Sequence, residues 1–362
     1  MARIVLSFFI VLIAVQINSI EWNLTHHITS TTTLRDKLTK LESELNYKPE
    51  LTVDLYQLND NLIDTEFSYD INLKLTRFEK TGNHNDSEFK ITGKLYRGWL
   101  RYSTSQTELR IGLQKINFGP AQILRSLQWF DNINPHDPTK TTEGVKAVLG
   151  RYYFINNANI WLWGIWGDSE ETSINNFFYE EDNLEFGGRI QYPFQYCEAG
   201  FTYYWCELKD YKGIENRFGF DARWDFEIGF WTEISVSQKH ASSNYYTARY
   251  DLPFSITLGA DYTLPFGLYI LAEYSKFDQN NSDFFDNTTD SKITALSFSY
   301  PIGLLDNISS IATYNYKDDK FYSSFTYQRI YDYLSIYLNI FINPENSFFS
   351  NTSIQLMLET KF

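Results

Sequence analysis

The chain has 362 residues, 18% of them aromatic, and a formal net charge of −14. That acidity argues against nucleic acid as a partner and leaves cations, basic ligands or plain solubility. Beyond the first twenty residues no run is long and apolar enough to be a membrane helix, so any apolar face must come from alternation.

The N-terminus places Arg3 before IVLSFFIVLIAV (4–15) and small residues to Ser19. This predicts a secretory signal peptide over 1–19, cut after Ser19. No Cys follows it, which excludes a lipoprotein anchor. His26 and His27 stand side by side as solvated residues. Leu34, Leu38, Leu41 and Leu45 then recur at helical spacing. Thr33 can cap a helix there, and Asn46 with Pro49 can stop it. A helix near 33–46 is expected, inside a periplasmic N-terminal segment spanning 20–66. It is too short to stand alone in water, so it packs under the fold or docks a partner. LTVDLYQL (51–58) reads as a lead-in.

From residue 67 the period is two. FSYDINLKLTRF (67–78) sets Phe67, Tyr69, Ile71, Leu73 and Leu75 against Ser68, Asp70, Asn72 and Lys74. TELRIGLQ, RFGFDARW, EIGFWTEISV and YLSIYLNIFI alternate in the same way. KITGKLYRGWLRY (90–102) loses parity near Arg97, which predicts a bulge. NIWLWGIWG (159–167) is apolar on both faces and permits no assignment. Long polar connections (79–88, 117–143, 167–182, 278–290) alternate with tight ones (104–106, 155–158, 193–195, 223–225, 265–267, 331–333). That asymmetry is the pattern of a transmembrane antiparallel up-and-down β-barrel. Counting from residue 67 gives about sixteen strands, with 14 or 18 as alternatives, and a barrel spanning 67–362.

A barrel of that size encloses water, so the polar face of each strand should line a lumen. The lumen candidates are Glu108, Arg110, Arg217, Asp221, Arg223, Glu227, Trp231 and Glu233, with further inward charges at Asp70, Lys74, Glu185, Arg189, Asp261, Glu273 and Glu359. Such charges either pair across the wall or set a field across the pore. Inward Tyr204, Trp231, Tyr333 and Tyr337 offer faces for sugar rings. The connection 117–143 is long enough to be functional. It either folds inward as a constriction, through Arg125, Trp129, Asp131, His136 and Asp137, or stays at the surface. ILRSLQWFD (123–131) suits a short helix. Asp131, His136 and Asp137 suit capping better than a metal, and none is assigned. No nucleophile elbow or phosphate loop occurs, so the chain reads as a non-enzyme without a cofactor. Cys197 and Cys206 have opposite parity and, if the segment is extended, lie roughly 30 Å apart. They should be free thiols.

The ending SIQLMLETKF resembles the C-terminal signal strand of bacterial outer-membrane β-barrel proteins, through Ile354, Leu356, Leu358 and the terminal Phe362. Thr360 departs from the pattern, which more often has an aromatic there. The resemblance implies recognition by the outer-membrane barrel assembly machinery. A second resemblance, over 111–138 (IGLQKINFG, then WFDNINPHDP), is to porin-like families. Together they imply a Gram-negative outer-membrane channel for small polar solutes or ions, in contact with outer-membrane lipid, with a homotrimer as the usual habit. A non-conducting scaffold barrel and a secreted soluble β-protein are the competing readings. The last strand is expected to pair with the first near 67–78.

Overall fold

The computed structural model describes residues 20–35, 40–58, 60–78, 86–131, 133–139, 141–142, 144–166, 184–208, 213–243, 246–251, 253–278, 291–343 and 352–362. The expected signal peptide and most of the connections 79–88, 167–182 and 278–290 lie outside these residues. Nineteen strand segments form one antiparallel sheet. They are β1 (Glu21–Arg35), β2 (Lys40–Leu58), β3 (Asn61–Phe78), β4 (Asp86–Ser103), β5 (Thr107–Gln114), β6 (Val145–Tyr153), β7 (Asn159–Trp166), β8 (Leu184–Pro193), β9 (Cys197–Leu208) and β10 (Gly213–Asp225). The second half comprises β11 (Gly229–Ser243), β12 (Tyr246–Asp251), β13 (Phe254–Thr263), β14 (Tyr269–Asp278), β15 (Ser291–Ile302), β16 (Asp306–Asn315), β17 (Lys320–Ile330), β18 (Leu334–Ile342) and β19 (Thr352–Lys361).

β12 and β13 both pair with β11 and are two parts of one strand, interrupted at Pro253, which has no N–H for the ladder. The result is a closed 18-stranded barrel. All sixteen strand positions expected from the alternation are strands, and the two additional ones are β1 and β2. The helix expected at 33–46 is therefore corrected. Glu21–Arg35 and Lys40–Leu58 form a hairpin in which Leu34 pairs with Leu41 and Thr31 with Glu44. Leu34, Leu41 and Leu45 also fit a period of two in these registers, with Thr29, Thr31 and Thr33 on the other face. A threonine-rich segment favours a pleated surface over a helix. LTVDLYQL is the end of β2 rather than a lead-in, and the barrel begins at residue 21 rather than 67.

Closure is made by β1 and β19. His27 pairs with Lys361 and Arg35 with Ser353, and His26 and Phe362 exchange both backbone hydrogen bonds, at 2.8 and 3.2 Å. The terminal strand thus pairs with β1, not with 67–78. Ile354, Leu356, Leu358 and Phe362 point outward. The bulge lies where parity fails: Ser68 pairs with Arg97 but Tyr69 with Leu95, leaving Tyr96 extra.

The outer surface carries an apolar belt, including Leu162, Ile190, Phe201 and Leu258, all at least half exposed. An Arg or Lys at the middle of such a belt in lipid would cost about 2–4 kcal/mol. Tight turns close one end of the barrel, through Thr104 N to Thr107 O and Phe194 N to Cys197 O among others. The turn expected at 223–225 is displaced to 226–228. The 117–143 connection runs inside. Cys197 and Cys206 are both free.

Candidate functional site

The connection between β5 and β6 is inside the barrel. Its described residues take no regular helix or strand, and the short helix expected at 123–131 is absent for a visible reason. The N–H groups that would bond along a helix go instead to two wall carboxylates. Glu233 on β11 accepts from Ala121 N (2.9 Å) and Leu127 N (3.0 Å). Glu273 on β14 accepts from Gln122 N (2.7 Å), Ile123 N (3.0 Å) and Leu124 N (2.6 Å), and from the Trp231 indole at 3.2 Å. The two carboxylates are 0% and 2% exposed. Burying a carboxylate is tolerable only with such donors. Gly119 completes the seat. Its φ is +91°, and a Cβ there would overlap the Glu233 carboxylate.

Side chains fix the rest of the loop. Arg125 donates to Asp131 at 2.7 Å and to the Phe118 carbonyl at 3.1 Å, and Asn117 also donates to Asp131. Ile116, Phe118, Leu127, Trp129 and Phe130 pack on Ala147, Leu149, Trp163, Ile165 and Tyr204 of the wall. This explains the two-faced apolar run of β7: Leu162 faces outward, while Trp163 and Ile165 face the loop. On β10, Gly219 admits Leu127 and Trp129, which a Cβ would approach to 2.7 and 3.1 Å.

The loop then crosses to the far wall. Asn134–Pro135–His136–Asp137 closes a turn (Asp137 N to Asn134 O, 3.1 Å), with the Asn134 side chain accepting from His136 N. His136 Nδ1 meets Ser324 Oγ on β17 at 2.8 Å, and its ring lies edge-on to Phe341. Burial lowers the His136 pKa below the ordinary 6.5. The return path is pinned where Arg97 donates to Thr142.

Among the lumen residues expected from the alternation, Glu108, Arg110, Arg217, Asp221, Arg223, Trp231 and Glu233 point inward, and most of the charged ones are paired within the wall, along one strand or between strands. Arg110 and Arg151 meet Glu108 at 3.0 and 3.4 Å. Arg189 grips Asp221 through two bonds, at 2.6 and 2.9 Å. Arg217 meets Glu215 at 2.7 Å and Arg223 meets Asp225 at 2.8 Å. Glu227 is corrected: it lies in the exposed turn between β10 and β11, because β11 begins two residues later than its alternation suggests. Of the four aromatics, Tyr204 and Trp231 are buried, and Tyr333 sits on an exposed turn. Tyr337 is also buried, its hydroxyl bonded to Gln328 and Glu359, with an edge on an interior cavity. Asp131, His136 and Asp137 do not converge: Asp131 holds Arg125, and Asp137 accepts from Thr139 and Thr141. Sequence reasoning placed Glu273 on the inner face without distinguishing its role, since three loop N–H groups leave no side-chain signal.

Among the described residues, three cavities adjoin the strap 133–138, and His136 borders each of these three. One of about 670 Å³ lies between Arg35, Tyr322 and Asn343. One of about 590 Å³ is lined by Glu44, Lys48, Glu50, Asp70 and Glu359. One of about 500 Å³ lies between the strap and β14–β18. The described part of the molecule is thus a closed barrel with an apolar exterior, a polar interior and an inward loop, the fold of the outer-membrane porins. No family model matches the chain, and no curated protein matches it by sequence. Solved structures do. OccK7 (OpdD) of Pseudomonas aeruginosa is 10% identical over 95% of this chain and 99% of its own, with a TM-score of 0.63. OpdK of the same organism, solved with vanillate, is 10% identical over 94% and 98%, with a TM-score of 0.62. OccAB1 of Acinetobacter baumannii is 11% identical over 96% and 97%, with a TM-score of 0.61.

Proposed function

We propose that this protein is an outer-membrane channel through which small polar solutes diffuse, with the 115–144 loop as its constriction. The observation that carries the reading is the pairing of an apolar outer belt with hydrated-size cavities on both sides of an inward loop. A soluble sandwich would bury its apolar face against another sheet, whereas here that face is outside. Closure through β1 and β19 leaves no free edge, which suits a bilayer. The outward Ile354, Leu356, Leu358 and Phe362 support a role for β19 in recognition by the barrel assembly machinery. The homotrimer expected of such channels is tested by cross-linking and mass measurement in mild detergent.

The primary experiment is conductance of the purified barrel in planar bilayers. Discrete steps support the channel. Their absence, in a barrel that fractionates with outer membranes and shows heat-modifiable migration, would favour the scaffold reading.

A further inference from the structure

The two inner faces beside the strap differ in chemistry, and the difference names a solute. Resting on the channel reading above, we propose that the cavity between the strap and β14–β18 is a subsite for neutral polyhydroxylated solutes of monosaccharide size.

Its volume of about 500 Å³ falls in the range of small-molecule sites, roughly 300–1,000 Å³. The wall presents Ser297, Ser299, Asn307, Ser309, Thr326 and Gln328, which the pairings place on one inner face: Ser299 opposite Ser309, and Ser309 opposite Thr326. None carries charge. Hydroxyl and amide groups both donate and accept, so the wall can replace the water around a solute built of hydroxyls. Ser297, Ser309 and Thr326 make no side-chain hydrogen bond among the described residues, so their groups are available. Tyr269 and Tyr337 add polar-edged aromatic surface at the same cavity.

Two charged residues border it, and both are already engaged. Arg125 is held by Asp131 at 2.7 Å, and Asp137 by Thr139 and Thr141. An anion entering this cavity therefore meets no unpaired cation, and a cation meets only the Asp137 carboxylate, whose two oxygens already accept from Thr139 and Thr141. A charged solute must give up hydration for few free partners, whereas a neutral polyol exchanges water for the wall's hydroxyls and amides. The cavity across the strap is charged instead, with Glu44, Glu50, Asp70 and Glu359 beside Lys48 on its walls.

The test uses three probes of one size: glucose, glucosamine as the cation and glucuronate as the anion. Each is titrated against the ion current of the full-length barrel, and binding is measured separately by calorimetry in detergent. Glucose should block saturably and better than either charged analogue. The triple variant S297A/S309A/T326V should weaken glucose block about tenfold, the size expected for one or two lost hydrogen bonds, while heat-modifiable migration stays that of the parent barrel. Stronger block by glucosamine or glucuronate, or undiminished glucose block in the variant, would overturn the proposal and leave the channel standing. Glucose binding without conductance would keep the subsite and remove the channel. Neither binding nor conductance would remove both.

Discussion

One barrel wall encloses two unlike interiors. Along β5–β11 the lumen is filled: the loop's Leu127, Trp129 and Phe130 lie against Trp163 and Tyr204, and the wall arginines are consumed by neighbouring acids. Along β14–β18 and β1–β3 the inner face borders cavities and carries hydroxyls, amides and a cluster of carboxylates. The strands of both halves alternate identically. What separates them is the destination of the loop. Its apolar residues require an apolar inner face on one side, and its exposed N–H groups require carboxylates at the border, which Glu233 and Glu273 supply. Charge on a porin-type wall therefore does not by itself mark the permeation path; here much of it holds structure.

The comparison breaks most completely if the border is removed. E233A/E273A takes away the acceptors of five loop N–H groups, each charge-assisted bond worth about 1.5–3 kcal/mol. The loop should leave its seat, and single-channel conductance should rise several-fold; unchanged steps would show that the loop is not the constriction. F362D, or deletion of Phe362, acts on closure rather than on either half. It should reduce the amount of folded barrel in outer-membrane fractions strongly, while the molecules that do assemble conduct normally. Normal assembly of both variants would remove the assembly role.

G119A probes the seat more gently. A Cβ at φ +91° costs roughly 1–2 kcal/mol, and it also meets the Glu233 carboxylate. Current noise and open-state fluctuation should increase without loss of folded protein. The smallest effect is at His136, where the strap reaches the open half. Burial lowers its pKa, so the seated loop favours the neutral ring. That contribution is fully present above 6.5 and is lost as pH falls through the lower value of the seated ring. Acidifying the bath should therefore raise fluctuation modestly in the parent channel and less in H136Q. An identical response in the variant would assign the effect to other groups.

Much of this architecture was legible early because β-barrel strands carry their own evidence. Inward and outward residues alternate, and all sixteen strands expected after residue 67 are present. The two that escaped, β1 and β2, were hidden because Leu34, Leu41 and Leu45 fit periods of two and of 3.6 alike, and only pairing with β19 and β3 decides between them. The site was less legible. Arg125, Trp129, Asp131 and His136 were all recognisable as loop residues, but the partners of Trp129 and His136 lie on strands more than a hundred residues away, and Arg125 and Asp131 pair with each other inside the loop, six residues apart.

By itself, then, the sequence determined the alternation, the antiparallel order, the apolar exterior and the outward-facing last strand, since each depends on residues near one another in the chain. Tertiary structure alone decided the strand number, the filled and open halves, and which charges face free space. The strand number depends on the long-range pairing of β1 with β19 and of β2 with β3; the rest depends on where an irregular loop finds acceptors for its backbone, and backbone N–H groups are the same at every position except proline.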